Sequence, residues 1–473
     1  MRLTTLRSLL TLGVLCLGLT SMASAADPDP FVQHLNGHDP CILLHAHILP
    51  MLDQEDLGEI VDGWVMVGGD GKIEGYGPMS AMPIRKYATL DCEGMWLTPG
   101  LIDANTELGL SGHPVVEMTQ DQTETTERAL PLLRVTDGIN PMDKAIPLVR
   151  AAGITTVYVT PGGSALIGGQ GALIKLRQVR NIDEMVLKAP AGMHLNLGEG
   201  PKATWGGRGG PSTRMGTAAV LRQELTAGQN WIAGRDRYDK KVRDYEEKHA
   251  QWVADQGKAD AEEGAAEPAE EPMPPDPPDR DLRKESLALM LRGEIPAIIS
   301  CHRQDDILTA LRLAEEFHLH AILLHATGAW QVADEIKAAG VPILLGPIRT
   351  PPDSMETLAA RLDNAMLLRQ AGIPFAIQTG DALGVRALSH EAAWAESGGL
   401  SASSALLSIT RWPAEILGVA DHVGSIETGK DADLVLWTMH PLETATVARY
   451  VIIDGQLVSD SETTPEFIQG PGW

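Results

Sequence analysis

The chain has 473 residues, 44% of them hydrophobic, and is therefore long enough to bury one large core and a smaller one. Its formal net charge of -25 argues against nucleic acid as a partner, because binding to phosphate groups requires a basic surface. Aromatic residues make up only 4%, which indicates cores built mainly from aliphatic side chains.

The first 26 residues have the pattern of a secretory signal peptide. Arg2 and Arg7 precede an apolar run from Leu9 to Leu19, and small residues follow. This order predicts export to the periplasm or the cell exterior, with cleavage near Ala25 or Ala26. The apolar run is shorter than the roughly 20 residues that a membrane-spanning helix needs, so we expect no span in the mature protein.

Three cysteines remain in the expected mature chain, namely Cys41, Cys92 and Cys301. Their spacing does not match that of a metal site. Two alternatives stay open at this point. Cys41 and Cys92 form a disulfide within one small domain, or all three thiols are free and buried.

Short β-rich segments follow between residues 27 and 96. They cover residues 41–49, 63–73 and 88–92, and Asp70-Gly71 marks a hairpin turn in the second segment. These segments predict short strands of a small β-sandwich.

The first of these segments contains His45 and His47, which imitate a metal-binding His-x-His pair. They precede the hairpin and lie among the predicted sandwich strands, whereas TIM-barrel active sites lie at the carboxyl ends of the barrel strands. We therefore predict that both histidines lie on the surface of a strand.

The next stretch, residues 97–109, begins a different kind of structure. A Pro-Gly turn leads into the apolar pair Leu101-Ile102, and polar residues follow. Side chains two residues apart share one face of a strand. Asp103, Asn105 and Glu107 are therefore expected to point together, toward the carboxyl end of this strand.

The middle of the chain alternates strands and helices, as a parallel barrel requires. Seven further strands are predicted at residues 154–159, 172–176, 191–199, 295–302, 320–325, 341–346 and 373–379. A regular series of this length predicts an α/β fold, a (β/α)₈ TIM barrel. The glycine-rich residues 168–171 lack the ending of a phosphate loop and are interpreted as a tight turn.

One segment, residues 222–282, interrupts the series. Residues 222–253 are charged and have a helical pattern, and residues 256–282 are rich in Ala, Glu and Pro. Such a composition buries too little apolar surface to order the chain. We predict an exposed, partly disordered insertion in a barrel loop; an acidic docking segment is the alternative.

Three polar residues follow predicted barrel strands directly. His302 ends the fifth strand, His325 the sixth, and Asp381 follows the eighth. Because TIM-barrel active sites lie at the carboxyl ends of the strands, these three residues predict a shared site.

Residues 424–436, with the sequence GSIETGKDADLVL, are followed by a hairpin over residues 450–458. This stretch and residues 97–109 resemble the amidohydrolase superfamily, in particular its imidazolonepropionase-like members. The resemblance covers residues 41–458. It implies a TIM barrel over residues 97–420 and a small β-sandwich made of residues 27–96 and 421–473.

In that family, the first barrel strand carries two metal-binding histidines, and here Asn105 and Glu107 stand in their places. The resemblance implies one divalent ion held by Glu107, His302, His325 and Asp381, with Asn105, Glu199 and Lys175 as weaker candidates. Oxygen ligands in place of imidazole shift the preference from zinc toward manganese or magnesium.

The resemblance also implies a hydrolase acting on C–N bonds other than peptide bonds in a small molecule, in which a metal-activated water attacks an amide-type carbonyl. Asp381 and His325 would be the catalytic residues. Arg208 and Arg214 are candidates for binding an anionic substrate. The alternative is a catalytically inactive barrel that serves as a ligand-binding or partner subunit, and a homo-oligomer is compatible with either.

Overall fold

The computed structural model describes residues 39–52, 57–112, 115–259 and 270–461. The predicted signal peptide, residues 1–26, and part of the predicted insertion, residues 260–269, lie outside the described residues. Within the four described ranges, no helix has both the length and the apolar composition that crossing a membrane requires.

The described strands, in chain order, are β1 (Cys41–Ile48), β2 (Ile60–Val67), β3 (Ile73–Pro78), β4 (Ala88–Asp91), β5 (Trp96–Pro99), β6 (Leu101–Thr106), β7 (Ile154–Val159), β8 (Ile167–Lys175), β9 (Val186–Asn196), β10 (Ala297–Cys301), β11 (Ala321–His325), β12 (Ile343–Leu345), β13 (Phe375–Ile377), β14 (Leu434–Trp437), β15 (Ala448–Ile453) and β16 (Gln456–Asp460).

The described α-helices are α1 (Val135–Gly138), α2 (Ala145–Arg150), α3 (Glu199–Trp205), α4 (Arg214–Ala259), α5 (Leu282–Leu291), α6 (Gln304–Phe317), α7 (Ala333–Ala339), α8 (Asn364–Ala371), α9 (Leu388–Ser397), α10 (Ala402–Leu407) and α11 (Arg411–Ile416).

Strands from opposite ends of the chain form one eight-stranded sheet, in the order β16-β15-β14-β5-β1-β2-β3, with β4 beside β1. β5 joins the two parts, because Trp96 pairs with His47 of β1 and Pro99 pairs with Leu434 of β14. Buried side chains pack on both faces of β1, with Leu43 in one apolar cluster and Ile42 in another. The small domain built from both chain ends is therefore confirmed.

Two side-chain predictions fall in this sheet. Cys41 and Cys92 are free and buried, as is Cys301 in β10. Of the two alternatives, the structure therefore contains three free thiols and not the Cys41–Cys92 disulfide. His45 lies 3.0 Å from Asp62, and His47 stacks on Trp96 with ring centroids 3.6 Å apart. Both histidines belong to the small sheet, as predicted, and have no place in the barrel.

The strands β6 to β13 follow one another around a second sheet, which forms a nearly closed barrel. Side chains from these strands fill its interior, and residues after α11 close its floor. Interior members are Ile102, Tyr158, Leu173, Ile298, Ile322, Leu344 and Ala376, and floor members are Leu417, Val419 and Val423. An apolar interior leaves the carboxyl ends of the strands as the place for polar chemistry.

β6 and β13 meet through side chains at the seam of the barrel. The buried carboxylate of Asp103 accepts hydrogen bonds from the backbone N of Thr379 (3.2 Å) and from its Oγ1 (2.5 Å). The backbone N of Gly380 donates to the carbonyl O of Asn105 (3.0 Å). Asp103 therefore belongs to the barrel framework, and the seam brings the end of β13 beside the end of β6.

The predicted barrel is confirmed, with one strand reversed. β8 pairs antiparallel with both β7 and β9, whereas the other paired neighbours in the barrel are parallel. The connecting residues 160–166 and 176–185 are shorter than the dozen or so that a crossover helix needs, so they form hairpins instead.

The glycine-rich residues 168–171 lie inside β8 and do not form the predicted turn. A Cβ atom at Gly171 would lie 2.5 Å from the hydroxyl oxygen of Tyr158, so glycine allows β8 to pack against that ring. The sequence alone could not distinguish this close approach from a turn, because glycine serves both.

The reversal of β8 also corrects the prediction for Lys175. This residue ends β8 and pairs with Thr156 near the start of β7, so it lies at the amino end of the barrel. Its fully buried Nζ donates to Asp431 (2.7 Å), Asp433 (3.0 Å) and Asp454 (2.5 Å) of the small sheet. Lys175 therefore joins the two domains and is not a ligand at the carboxyl ends of the strands.

The predicted insertion begins with α4, whose 46 residues span about 69 Å. Pro278 O accepts a hydrogen bond from Arg235 (3.4 Å), and Glu271 lies 3.5 Å from His249. The helical rise between Arg235 and His249 is about 21 Å, and seven residues of polyproline II also span about 22 Å. Residues 270–281 therefore run extended along α4, and the alternative of a docking segment stays a prediction.

Candidate functional site

Two histidines meet at the carboxyl ends of neighbouring strands. His302 directly follows β10 and His325 ends β11, and these two strands pair in parallel. Their rings are stacked, with centroids 4.6 Å apart and an angle of 11° between the planes. The prediction that both histidines would share one site follows from parallel strands ending at the same edge, and the structure places them together.

The backbone turns sharply at the second of these histidines. His325 and Ala326 have φ angles of 67° and 46°, a left-handed conformation that is unfavourable for residues with a side chain. Ala326 N donates to Cys301 O (2.8 Å), which holds the turn against the neighbouring strand. Strained backbone of this kind concentrates at functional sites, where the surrounding structure maintains it.

Hydrogen bonds fix one nitrogen of each ring. His302 Nδ1 lies 2.8 Å from Thr327 Oγ1. His325 Nδ1 lies 3.1 Å from Gly346 O and 3.2 Å from Gln378 Nε2. No described residue bonds to either Nε2 atom, so each ring keeps one nitrogen free for a ligand.

A neutral network occupies the place where the family pattern has its first histidine. The side chain of Asn105 is buried, donates to Gln378 Oε1 (3.2 Å) and accepts from Thr160 Oγ1 (2.8 Å). Gln378 in turn contacts His325. Both atoms of the Asn105 amide are therefore already bonded to the protein, and Asn105 does not offer the weak ligand that was predicted.

Glu107 stands at the mouth of the barrel, just after β6. Its side chain is half-buried and has no hydrogen-bond partner among the described residues. Burial, together with repulsion from Asp381, raises the pKa of Glu107 to about 7. A carboxyl group with this pKa exchanges protons readily at neutral pH, which suits it to general acid–base chemistry.

Asp381 does not join the histidines. It is exposed, its Oδ1 accepts from the backbone N of Leu383 (2.7 Å), and its carbonyl O accepts from Thr106 Oγ1 (2.7 Å). The preceding position is Gly380, where a Cβ atom would lie 3.2 Å from Gln378 Oε1. Position 380 therefore faces the polar network, while Asp381 caps a loop, which corrects its prediction as a metal ligand and catalytic base.

A third histidine lies deeper in the barrel. His194 of β9 is fully buried, and its Nε2 lies 3.1 Å from the Tyr158 hydroxyl. Burial, and secondarily the proximity of His325, lowers the pKa of His194 to about 3. The same two causes lower the pKa of His302 to about 3, and burial lowers that of His325. All three imidazoles are therefore neutral at physiological pH.

The side chains at this site do not fit the divalent ion that the sequence suggested. Within the described part of the chain, no three His, Cys, Asp or Glu side chains are grouped so that they could hold a metal. Neutral groups occupy this part of the site: Gln378 contacts His325, and Asn105 and Gly380 lie beside Gln378. The predicted set of Glu107, His302, His325 and Asp381 is therefore not assembled as a metal centre.

Two of the remaining predicted residues, Arg214 and Glu199, belong to a separate charged cluster. Arg214 donates to both carboxylate oxygens of Asp306 (2.9 and 3.0 Å) and to Glu356 (2.9 Å), so it is not available for a substrate. Glu199 begins α3 beside this cluster, and its charge is one of the influences that raise the pKa of Glu356, after burial and Asp306. Arg208 is exposed and has no described contact to the histidines.

The structure adds residues that sequence reasoning missed. Gln378, Thr160 and Thr327 hold Asn105 and the histidines by side-chain hydrogen bonds. A signal existed for Gln378, since it follows the apolar strand Phe375–Ile377 and is completely buried. Buried polar residues are usually hydrogen-bonded, so such a residue indicates a network even before the partners are known.

The neutral histidines predict a loss of stability in acid. The unfolded chain protonates its histidines near pH 6.5, whereas folded His194 and His302 stay neutral down to about pH 3. The unfolded state therefore binds more protons below pH 6.5, and each of these histidines should lower the free energy of unfolding by about 1.4 kcal/mol per pH unit.

Urea denaturation at several pH values between 4 and 8 measures this slope. In the variant His194→Gln, this slope should be smaller by the contribution of one histidine, about 1.4 kcal/mol per pH unit. An unchanged slope in that variant would contradict a buried neutral His194.

Comparison with known proteins places these features in a family. The profile of the amidohydrolase family matches residues 96–458. The amidohydrolase from Thermotoga maritima MSB8, a solved structure, is 31% identical and superposes with a TM-score of 0.77, covering 89% of this chain and 100% of that one.

Curated relatives agree at lower identity. The amidohydrolase tasK of Hapsidospora irregularis is 27% identical over 451 residues, which are 89% of this chain but 43% of that protein. This chain thus spans less than half the length of that relative. The imidazolonepropionase of Acidiphilium cryptum (strain JF-5) is 25% identical over 423 residues, 83% of this chain and 90% of that enzyme.

Proposed function

This chain belongs to the amidohydrolase family, a family of hydrolases, and from that premise we propose that it hydrolyses an amide-type C–N bond, other than a peptide bond, in a small molecule. The observation that carries the proposal is the pair of stacked, neutral histidines at the ends of β10 and β11. Family members typically bind metal, but the side chains at this site do not fit one, so no step below uses a metal.

In the proposed reaction, the free Nε2–H group of His302 donates to the carbonyl oxygen of the bound substrate. Nδ1–H of His325 donates to Gly346 O, so Nε2 of this neutral ring is a hydrogen-bond acceptor. If Thr327 donates its hydroxyl proton to Nδ1 of His302, the proton of that ring is on Nε2, which makes it a donor. Donors aimed at the oxygen stabilise the negative charge that develops there during attack by water. Because the ring of His302 is neutral, it polarises the carbonyl through this hydrogen bond and keeps its proton.

Glu107 is the proton-transferring group in this proposal. As a carboxylate it removes a proton from water, whose oxygen forms a bond to the carbonyl carbon. When the C–N bond breaks, the same carboxyl group returns the proton to the leaving nitrogen. The raised pKa of Glu107, about 7, supports both halves of this cycle at neutral pH.

A second candidate function is ligand binding without turnover. The observation that favours it is that Asn105, Gln378 and Gly380 place neutral groups beside the histidines. Neutral groups of this kind hold the histidines in place but do not activate water.

One experiment separates these functions. The purified chain is treated with EDTA, and then assayed with and without added zinc or manganese against hydantoin, dihydrouracil, imidazolone propionate and N-acetyl amino acids, with products detected by mass spectrometry. We expect hydrolysis of at least one compound at the same rate with and without EDTA. Activity that requires added metal would overturn the proposed mechanism. Calorimetric binding without any product would establish the second candidate instead.

A further inference from the structure

A groove beside the histidines is lined by the loop that follows β12 and by α9. Its volume is about 650 Å³, and its walls are residues 348–352, residues 360–362, Glu391 and Trp394. Pockets of 300 to 1,000 Å³ are typical of small-molecule sites.

The groove adjoins the proposed active site. A small cavity of about 10 Å³ touches His325 and Gly346, and it shares four wall residues with the groove, Ile348, Thr350, Ala360 and Arg361. The groove is therefore close to His325, and the shared wall residues lie between them.

Arg349 is one of three charged residues that line this groove, with Arg361 and Glu391. Its guanidinium carbon lies 4.9 Å from the centroid of the Trp394 ring. The buried Glu391 accepts the backbone N–H groups of Ile348 (2.5 Å) and Arg349 (3.2 Å) through Oε2, which fixes the backbone under this side chain.

The guanidinium of Arg349 is exposed and lies beyond ion-pair distance of the described carboxylates. Glu391 is near enough to feel its charge: burial raises the pKa of Glu391, and Arg349 partly opposes that rise. Its neighbour Arg361 differs, because it pairs with Asp363 and lies over Trp330. Arg214, at the other side of the mouth, is neutralised by Asp306. Arg349 is therefore the arginine of this groove whose charge is available to an anionic ligand.

We propose that this groove is the subsite for a carboxylate group of the substrate, with the carboxylate on Arg349 and the apolar part of the molecule against Trp394. The proposal rests on the proposed function, since it places the amide-type bond next to His325. It narrows the substrate class to small organic acids that carry the scissile bond a few atoms from their carboxylate. The guanidinium plane suits such a group because it offers two parallel N–H donors.

The test uses two probes of one shape. Phenylacetate and phenylacetamide share the ring and the chain length, but only the first is an anion. Calorimetry should show phenylacetate binding that weakens by about 10- to 100-fold in the variant Arg349→Met, because a charge-assisted hydrogen bond is lost. Phenylacetamide should bind both proteins within twofold.

The matched control is Arg361→Met, which removes an arginine from the same groove whose charge is already paired with Asp363. We expect this variant to bind phenylacetate within twofold of the unmodified protein. Two results would overturn the subsite. One is that Arg349→Met binds phenylacetate as tightly as the unmodified protein does. The other is that the unmodified protein does not bind phenylacetate at millimolar concentration. Phenylacetate and phenylacetamide are tested for binding and not for hydrolysis. The binding result therefore does not depend on whether the protein hydrolyses an amide-type bond.

Discussion

Replacing Lys175 by methionine should lower the free energy of unfolding by about 3–5 kcal/mol, the cost of removing one partner from a buried charge pair. The ammonium is completely buried and donates to Asp431, Asp433 and Asp454. Burial alone would lower the pKa of Lys175, but Asp433 and Asp454 outweigh it and raise the pKa, so the group carries its charge. Methionine fills a similar volume and leaves three carboxylates without their shared cation.

Urea denaturation of the full chain measures this effect, with Lys188→Met as the control. Lys188 is half-buried on β9, and its Nζ donates one hydrogen bond, to Leu417 O (3.0 Å). We expect a loss of about 1 kcal/mol from that variant. Equal losses from the two lysines would show that the Lys175 cluster adds nothing beyond an ordinary hydrogen bond.

Replacing Glu107 by glutamine should lower kcat by about 10²- to 10⁴-fold, the usual contribution of a general acid–base group. Glutamine keeps the size of the side chain and cannot accept a proton from water. In the unmodified protein, activity should be low in acid and rise with pH through about 7, because the base must be deprotonated before it reacts. The free energy of unfolding should rise at pH 7 and above, because burial and Asp381 disfavour the charged carboxylate and glutamine removes that charge.

The control for this prediction is Asp381→Asn. Removing the Asp381 charge relieves the repulsion that helps to raise the pKa of Glu107, so the rise of activity with pH should move to lower pH. The maximal rate should stay within a few fold, because Asp381 caps the backbone N of Leu383 and does not face the histidines. Full activity in the variant Glu107→Gln would show that Glu107 does not transfer the proton.

The positions of His302 and His325 could be predicted from the sequence because they depend on a local rule. Each follows a run of apolar residues that forms a parallel strand, and such strands end at one edge of the barrel. The direction of β8 could not be predicted in this way. Strand composition does not encode direction, and only the short connections on both sides of β8 indicate a hairpin.

The correction at Asp381 has a different origin. Side chains alternate between two faces only while the chain is extended. Gly380, after the end of β13, has a φ of 70°, so this alternation is already broken where the sequence pattern was extended to Asp381. Gly380 faces the network and Asp381 faces solvent. Matching the sequence to a family motif beyond the end of a strand cannot show which of two neighbouring residues faces the site. Gln378 was missed for a related reason, since its partners Asn105 and His325 lie far away in sequence.

The cluster around Lys175 depends on contacts that no local pattern contains. Lys175 lies in the barrel, and its three carboxylate partners lie in the last part of the chain. The sequence could show a lysine near a strand end, but not which end of the barrel that strand reaches. That information exists only once the direction of β8 is known.

The pairing of β5 with β14 affects how the protein folds during its synthesis on the ribosome. Pro99 is synthesised early, while its partner Leu434 emerges only when the barrel sequence is already complete. Until then, β5 keeps an open edge, with backbone groups ready to pair with another chain. A ribosome that stalls before residue 434 therefore leaves a chain whose first strands have an unprotected edge, the kind of surface that chaperones and proteases recognise.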